Sequence, residues 1–409
     1  MIHEFGWAQD DWDKIASGVV AGHIIECGLQ ATGGNFTDWA KVPSWSNMGY
    51  PLVEAREDGT FTVTKHPDTG GLVSLHTVTE QLLYEIGPPG YLSADVVARF
   101  DTIRLEDLGE DRVDVSGIRG TPAPETLKVS ISYRDGYRAF GRLLISGPDA
   151  LDKAATVEDA FWANVGGADQ FDETLCQVIG WDGTHPPIDP DQEPNEIILQ
   201  LGVRDRDPDK IRRHFAAKVV PLVLGTVPGI TYLADHGRPR AAEVIGFWPA
   251  LIARTSVTAE VIVGDESVEV GSGDWSGSTA APISVEPAGA DYPDTESTVT
   301  VRLAELCLAR SGDKGNIANI GVIARSPAVY RWMLDNLTTQ DVDDFFDEMD
   351  HGEVERYELP NLLSMNFLIR DSLGGGGTRS LMSDPQAKTF AQFLLTAEVT
   401  VDEGLLDTV

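Results

Sequence analysis

Four side chains able to move protons lie close together near the N-terminus. His23, Glu26 and Cys27 are three or four positions apart in "GHIIECG", and Asp38 follows a Thr-Gly-Gly-Asn turn. On a helix, this spacing places His23 on the same face as either Glu26 or Cys27. Imidazole and carboxylate groups serve as general bases, and a thiol beside a histidine can become a nucleophilic thiolate. The pattern favours such catalysis, while a buried Cys27 and a His23 that only satisfies the helix end remain the alternative.

Two Thr-Gly-Gly turns could serve the same chemistry. Asn35 follows the first pair of glycines, and the second pair occurs in "DTGGLVS". Backbone N–H groups in such turns can converge on an anion or on the oxyanion of a transition state. We therefore expect a common cleft beside the candidate base, unless the two turns are independent. The residues expected there are Gly33, Gly34, Asn35, Gly70 and Gly71.

A second polar stretch, "ARSGDKGN" at residues 309–316, is basic within a very acidic chain. Residues 302–325 carry four basic and two acidic side chains, a local charge of +2, whereas the whole chain has −34. Glycine amides beside a Lys or Arg can hold a phosphate or carboxylate, although the spacing does not match a P-loop. The residues expected to bind such a group are Arg310, Ser311, Asp313, Lys314 and Asn316. The alternatives are an ordinary turn with an Asp313–Lys314 pair, or a contact that docks one domain onto another.

Four consecutive glycines precede Thr378 and Arg379 in "LGGGGTRSL". Ordering four glycines costs considerable backbone entropy, so a packed loop of this kind needs a reason. Close approach of the backbone to a ligand is one reason, with Arg379 as an anion-binding residue. A flexible connector is equally compatible with the sequence.

Aromatic residues cluster after the first glycine turn, at Phe36, Trp39, Trp45 and Tyr50. They could line a pocket for an apolar chain, although aromatic residues more often belong to the core. Near His23 and Glu26, no second ligand group occurs at a standard metal spacing, so the sequence predicts no metal site.

The elements that must position these groups show first in the apolar periodicity. Apolar residues recur at helical spacing over residues 12–27, and Gly28 ends the pattern. Thr77 and Glu80 form a T-x-x-E capping box that predicts a helix running to Ile86. Alternating residues around Asp135-Gly136 predict a β-hairpin.

Helices and strands interleave further along the chain. Strands are predicted near residues 174–180 and 196–204, and helices over 149–164 and from Pro208 to Pro221. This alternation indicates a layered α/β main domain.

The composition changes at residues 264–297, which are rich in Gly, Ser, Pro and Asp. We therefore predict a main domain at 1–263, a linker at 264–297 and a small domain at 298–409. Two strands, two helices and a further strand follow, and Asp384 with Pro385 predicts the start of a last helix. The order fits a ferredoxin-like α+β domain with a split βαβ unit.

Charge restricts the class of protein. The chain has 65 Asp and Glu against 31 Lys and Arg, and only nine of the 31 are Lys. Such a surface repels nucleic acid and anionic membranes, and it repels itself unless salt screens it. We interpret it as adaptation to a salty cytosol. No apolar run of membrane-spanning length and no basic, apolar leader occurs, so we expect a cytoplasmic protein. The three cysteines form no CxxC pair, as expected in a reducing compartment.

Five stretches together resemble the acyclic terpene utilisation (AtuA-like) family. They occur in the family's order and span nearly the whole chain: "ECGLQATGGNFTDW", "TGGLVSLHTVTEQLLYEI", "TLKVSISYRDGY", "ARSGDKGNIANIGVIAR" and "LGGGGTRSL". The resemblance implies an α/β main domain, a ferredoxin-fold C-terminal domain, and a role in breaking down branched, isoprenoid-like acids as coenzyme A thioesters. It also implies a further α/β segment of about 150 residues, the length of a domain, ahead of Met1. We therefore expect either a shortened family member or a separate polypeptide that supplies that segment.

Two functions follow from the resemblance and the residues together. The first is an enzyme, or enzyme subunit, with lyase or hydratase chemistry on an acyl-CoA, in which His23, Glu26 or Asp38 is the base and the Gly33-Gly34 amides bind the oxyanion. The second is a non-catalytic assembly subunit whose small domain mediates oligomerisation. A cysteine-dependent hydrolase using Cys27 is a third possibility. The expected partners are an acyl-CoA and a second copy of the chain, or the polypeptide that supplies the further segment. The cofactor is left open by the sequence, with the coenzyme A moiety of the substrate as the candidate.

Overall fold

A computed structural model describes residues 1–234, 236–270 and 297–409 of the chain. The helices are α1 (Ile2–Phe5), α2 (Trp12–Glu26), α3 (Leu75–Leu83), α4 (Ala150–Val165), α5 (Pro208–Lys210), α6 (Ala217–Val219), α7 (Leu222–Gly225), α8 (Leu303–Leu306), α9 (Pro327–Asn336), α10 (Thr339–Phe345), α11 (Phe390–Leu394) and α12 (Glu403–Leu406). The strands are β1 (Pro51–Ala55), β2 (Phe61–Lys65), β3 (Gly90–Leu92), β4 (Val96–Arg99), β5 (Arg104–Gly109), β6 (Arg112–Ser116), β7 (Arg119–Pro122), β8 (Thr126–Ser146), β9 (Glu173–Ile179), β10 (Glu196–Asp205), β11 (Ile230–Tyr232), β12 (Ala242–Ala253), β13 (Ala259–Val263), β14 (Glu266–Val270), β15 (Thr298–Arg302), β16 (Cys307–Lys314), β17 (Ile317–Ala324), β18 (Val354–Leu359), β19 (Ser364–Ile369) and β20 (Glu398–Asp402). The fold is mixed α/β, as the interleaved pattern predicts.

The N-terminal unit packs α2 against two small antiparallel sheets, β1-β2-β6-β5 and β3-β4-β7. The predicted helix over residues 12–27 is confirmed, and its apolar side chains Ile15, Val20 and Ile24 are buried. It ends where Gly28 takes a φ of +54°, which side-chain-bearing residues rarely adopt. This end places His23, Glu26 and Cys27 beside the start of the glycine turn.

Helix α3 begins differently from the sequence prediction. Ser74 is its N-cap: the Ser74 hydroxyl accepts from the Thr77 N–H, and the Thr77 hydroxyl accepts from the Ser74 N–H. The predicted Thr77–Glu80 box is therefore wrong, because Thr77 is the third helical residue rather than the cap. The helix also ends at Leu83 rather than at Ile86. Glu80 is left to point into the protein.

The middle unit is a sheet of order β11-β8-β10-β9, with α4 covering it and β12 pairing with β8. The predicted hairpin at Asp135-Gly136 is wrong, since β8 runs unbroken from Thr126 to Ser146. Gly136 takes a φ of +84°, and close to it β8 gains a second partner: residues 137–146 pair with β10, whereas residues 126–134 pair with β12 alone. A positive φ therefore marks an irregularity inside a long strand here, rather than a reversal.

The C-terminal unit contains a four-stranded sheet of order β16-β17-β19-β18, with β15 and β20 paired separately. All three neighbouring pairs in the larger sheet are antiparallel. Strands β17 and β18 both pair with β19, so they run parallel to each other with β19 between them, and α9 and α10 connect them. This is the predicted split βαβ unit. One face of the sheet packs on α9, α10 and α11. The other contributes Leu308 and Ile323 to the core of the N-terminal unit. The sheet is therefore buried on both faces.

Two glycines permit this close packing. A Cβ atom on Gly312 would lie 2.5 Å from the Tyr84 ring, and one on Gly321 would lie 2.5 Å from Leu83 Cβ. Gly312, in the basic stretch, and Gly321, in the strand after it, therefore let the end of α3 contact the sheet directly.

The predicted linker over 264–297 falls largely outside the described residues. Gly264 lies in the turn between β13 and β14, and residues 266–270 form β14. Within residues 1–234, 236–270 and 297–409, no helix is long and apolar enough to cross a membrane.

Candidate functional site

A cleft of about 440 Å³ opens where the glycine turn of the N-terminal unit meets the C-terminal sheet. Residues from both units line it: Gln30, Asn35, Phe36, Trp39, Trp45, Ala309, Arg310, Ser311, Lys388, Ala391 and Gln392. Most of these positions belong to the aromatic cluster, the first glycine turn or the basic stretch, which the sequence predicts as binding elements. The fold brings these three stretches together in one place.

The aromatic wall of this cleft is exposed. Trp39 has 65% and Trp45 49% of its surface accessible, whereas Phe36 is buried beneath them. A tryptophan that a folded chain leaves so open offers apolar surface to a ligand or partner. Tyr50 is also exposed, but it packs beside Gly28 and does not line the cleft.

Arg310 forms the floor of the cleft, and its guanidinium is fully engaged by protein groups. It donates to Glu80 Oε2 at 2.6 and 3.0 Å, to Gln30 Oε1 at 2.9 Å and to the Gly34 carbonyl at 3.0 Å. Burial raises the pKa of Glu80, and the charge of Arg310 opposes that shift. Arg310 therefore holds the C-terminal strand to α3 and to the glycine turn, which is the docking alternative of the sequence analysis.

Other residues of the basic stretch also have partners. The Ser311 hydroxyl accepts from the Ala391 N–H at 2.9 Å, and Asn316 donates to Asp371 Oδ1 at 2.9 Å while accepting from the Gly375 N–H at 2.6 Å. These bonds lie within the C-terminal unit. Asp313 is half-buried, whereas Lys314 is exposed.

Several side chains able to transfer protons surround Lys388, which lines the cleft. Its ammonium contacts the Tyr84 hydroxyl, lies 4.3 Å from the centre of the Tyr84 ring and is 3.9 Å from Glu85 Oε1. Burial raises the pKa of Asp313, while Lys388 and Lys314 act in the opposite direction. Burial and the neighbouring Glu85 also raise the pKa of Tyr84. Lys388 thus contacts Tyr84 and acts electrostatically on Asp313. The raised pKa values of Tyr84 and Asp313 favour their protonated forms.

Lys388 is not among the residues predicted for the site. The sequence predicts a helix from Asp384 onward, whereas the chain forms a loop there and α11 begins only at Phe390. The Asp384 carboxylate accepts from the Gln386 and Thr389 N–H groups, and Ala387 takes a φ of +54°. These local bonds compete with the helix and present Lys388 to the cleft. Its one sequence signal is that lysine is scarce in this chain.

His23 is placed as a structural group. Its Nε2 lies 3.0 Å from the Gln81 carbonyl, to which it must donate, and its ring packs edge-on against Tyr91 and Phe100. Burial, together with the charge of Lys314, lowers the pKa of His23 to about 4. The imidazole is therefore neutral at neutral pH and bonds to α3.

Cys27 and Glu26 form a pair in which the thiol donates to Glu26 Oε2 at 2.7 Å. Burial and the carboxylates of Glu26 and Glu85 raise the pKa of Cys27 to about 11. A thiol in this environment stays protonated, which disfavours the thiolate hypothesis. Glu26 itself is exposed at the end of α2.

Asp38 also holds the two units together. Its carboxylate accepts from two Arg325 nitrogens at 2.7 and 2.8 Å and pairs with Lys41 at 2.7 Å. Hydrogen bonds from Arg325 lower the pKa of Asp38 to about 2. A carboxylate so strongly paired is a weak base, so the structure favours a structural role for Asp38.

The two glycine turns do come together, because the Leu72 N–H bonds to the Thr32 carbonyl at 2.8 Å. Their N–H groups bond within the protein: Gly33 to Gln30, Gly34 to Leu29, Gly70 to Asn47 and Gly71 to Ser44. The Asn35 side chain donates to Gln30 Oε1 at 3.1 Å. Asn35 lines the cleft, whereas the four glycine N–H groups are engaged by protein carbonyls and are not free to bind an oxyanion.

The four-glycine loop packs on the protein itself. Gly374, Gly375 and Gly376 all take positive φ values, and a Cβ on Gly376 would lie 2.7 Å from the Gly315 carbonyl. Arg379 Nε lies 3.4 Å from Asp135 Oδ2, on the middle unit. Among the described residues, no group of three His, Cys, Asp or Glu side chains is arranged to hold a metal ion.

Two protein-family models match the chain. The family model "Acyclic terpene utilisation family protein AtuA" matches residues 1–263, and the "AtuA ferredoxin-like domain" matches residues 301–400. No curated protein matches the chain. No solved structure matches it either. The chain belongs to the acyclic terpene utilisation family AtuA and carries that family's ferredoxin-like domain at its C-terminal end.

Proposed function

We propose that the chain is an enzyme, or enzyme subunit, that acts on a branched, isoprenoid-like acid carried as a coenzyme A thioester. The observation that carries the proposal is the exposed aromatic wall of Trp39 and Trp45, next to Lys388, in a cleft between the two family-matched regions. A branched apolar chain would cover these rings and remove their surface from water.

The reaction class we propose is lyase or hydratase chemistry at the carbon next to the thioester carbonyl. Such reactions need a base for a C–H or O–H proton and a cation or donor for the developing oxyanion. Lys388 is the candidate for the second role, because its side chain lines the cleft. Asp313 is the candidate base, because it lies on the same face of β16 as the cleft residue Ser311 and its pKa is raised by burial.

Ligand binding is the first test. Thermal unfolding and titration calorimetry in concentrated KCl would compare short branched acyl-CoAs with free coenzyme A, since binding to the folded state alone raises the unfolding midpoint. We expect Trp39→Ala to weaken acyl-CoA binding at least tenfold. Trp248→Ala is the matched control, because Trp248 is 64% exposed and lies outside the cleft. No midpoint shift with any acyl-CoA would refute the proposal.

Turnover is the second test. Lys388→Met and Asp313→Asn should each lower turnover at least a hundredfold and leave acyl-CoA affinity within a few-fold, because both groups act on the reacting atoms rather than on the acyl chain. Lys41→Met is the control, since Lys41 pairs with Asp38 outside the cleft. Unchanged turnover in both variants would remove these two residues from the mechanism.

An exposed apolar ribbon favours assembly as a second candidate function. Residues 126–134 of β8 pair with residues 245–253 of β12, and the register places Ile131 opposite Trp248 and Val129 opposite Ala250 on one face. Trp248, Ile131 and Tyr133 are exposed. Two strands alone bury little of such a face, so it is suited to contact with another molecule.

We propose a second copy of this chain as that molecule. Residues 126–134 and 245–253 contain no Asp or Glu, whereas the chain as a whole has 65. Two copies that repel each other elsewhere can approach at the ribbon. Light scattering should show a dimer that Trp248→Glu converts to a monomer, while Leu224→Glu, at a residue 96% exposed outside the ribbon, leaves the dimer intact. A monomeric unsubstituted chain would exclude this role.

A further inference from the structure

A second cleft, of about 1000 Å³, lies on the middle unit at the start of α5. The segment 236–241, "HGRPRA", forms one side of it, and Arg212, from the helical stretch that continues α5, forms the other. Among the described residues that line this cleft, three are arginines and one, Asp209, carries a carboxylate. In a chain with a formal charge of −34, a cleft with a positive local charge is a marked reversal.

Three of the cations around this cleft have specific positions. Arg212 pairs with Asp209 at 2.9 Å, and Arg238 donates to the Arg212 carbonyl at 3.4 Å. Arg142 donates through Nε to Gln200 at 2.7 Å, and its Nη1 lies 3.5 Å from His236 Nε2 at the cleft. Gln200 thus holds Arg142 through Nε, and Nη1 of Arg142 reaches His236 in the segment 236–241.

Phe140 helps to hold two arginines, Arg142 and Arg138, in place. The guanidinium of Arg142 lies 5.2 Å from the centre of the Phe140 ring, and that of Arg138 lies 5.6 Å from it. Phe140 itself lines the cleft. Stacking on an aromatic ring restricts a guanidinium in advance, so less freedom is lost when it binds an anion.

Arg240 has unused binding capacity. It is exposed and lines the cleft, and within residues 1–234, 236–270 and 297–409 it forms no ion pair or hydrogen bond. Keeping an unpaired guanidinium beside two others costs repulsion that an anionic ligand would relieve. A planar guanidinium matches the oxygens of phosphate in a bidentate manner.

We propose that this cleft binds a phosphate-bearing anion with at least two phosphate groups, such as a nucleoside diphosphate or free diphosphate. One phosphate would meet Arg240 and Arg238, and the next would meet Arg142 and His236. The volume exceeds what a single phosphate fills. This site lies outside the aromatic cleft, and the inference does not depend on the proposed reaction there.

Titration calorimetry with ADP, pyrophosphate and adenosine tests the site, at the lowest KCl concentration at which the full chain stays folded. We expect ADP and pyrophosphate to bind and to compete with each other, and adenosine to bind at least tenfold more weakly. ADP binding more tightly than pyrophosphate would support a nucleotide as the natural source, and equal binding would support free diphosphate. Binding of neither would overturn the proposal.

Variants locate the binding. Arg240→Gln and Arg142→Gln should each weaken pyrophosphate binding at least tenfold, and the exposed Arg240 can be replaced without loss of a contact that holds the fold. Arg331→Gln is the matched control, because Arg331 pairs with Asp335 on α9, far along the chain from this cleft. An unchanged affinity in Arg240→Gln and Arg142→Gln alike would place the anion elsewhere and overturn the assignment.

Discussion

Replacing Arg310 should destabilise the fold strongly, because its charge is buried against Glu80. The Arg310 side chain is 4% and the Glu80 side chain 0% exposed, and Arg310 makes further bonds to Gln30 and Gly34. Removing one partner of a buried ion pair leaves the other charge without compensation, which costs about 3–5 kcal/mol. We therefore expect Arg310→Met and Glu80→Gln each to lower the free energy of unfolding by about 3 kcal/mol or more.

A double-mutant cycle measures how far the two side chains act as one. In the double variant of Glu80→Gln with Arg310→Met both charges are gone, so the loss should fall short of the sum of the two single losses by about 1–3 kcal/mol. Urea unfolding in concentrated KCl, followed by tryptophan fluorescence, gives the free energies. Lys314→Met is the control, since Lys314 is exposed on the same strand. Single losses below about 1 kcal/mol, or strictly additive losses, would refute the docking role.

Three further predictions follow from particular contacts. Gly321→Ala should lower stability by about 2 kcal/mol or more, since its Cβ would lie 2.5 Å from Leu83 Cβ, whereas Gly87→Ala, with open space, should not; equal unfolding midpoints would contradict this. The pKa of His23 is about 4 in the folded chain and ordinarily 6.5, so neutral His23 stabilises the fold above pH 6.5 and that contribution is lost as pH falls toward 4. Relative to His23→Gln, the free energy of unfolding should fall by up to about 3 kcal/mol across that range, and parallel pH curves would contradict it. The pKa of Cys27, about 11, should make alkylation of its thiol by iodoacetamide at pH 8 about a hundredfold slower than that of an ordinary thiol, as peptide mass spectrometry can measure.

Elements with long, regular periodicity are predictable from this sequence, and those decided by tertiary contacts are not. Helix α2 and strands β9 and β10 lie close to their predicted positions, because apolar spacing alone sets them. The T-x-x-E signal failed because Ser74 is the better-placed cap and because Glu80 pairs with a residue 230 positions later. No local pattern contains that pairing.

The candidate site shows the same limit. The aromatic cluster, the first glycine turn and the basic stretch are visible in the sequence, and they do line one cleft. The sequence does not show which polar groups of these stretches lack a partner within the protein, because that depends on which groups the fold buries together. Arg310 and Asp38 have long-range partners, while Lys388 comes from a loop that resembles a helix start.

Scarce positive charge therefore has two distinct uses in this acidic chain. Arg310 and Arg325 belong to the C-terminal unit, and both pair with carboxylates of the N-terminal unit, Glu80 and Asp38. These pairs hold together the two units that line the aromatic cleft. The two cations that we propose for ligand binding, Lys388 and Arg240, lie on irregular segments, where the backbone is not part of a sheet. A basic stretch in a buried strand therefore indicates a contact that docks one unit onto another. Cations that bind a ligand are expected instead in the exposed loops beside it.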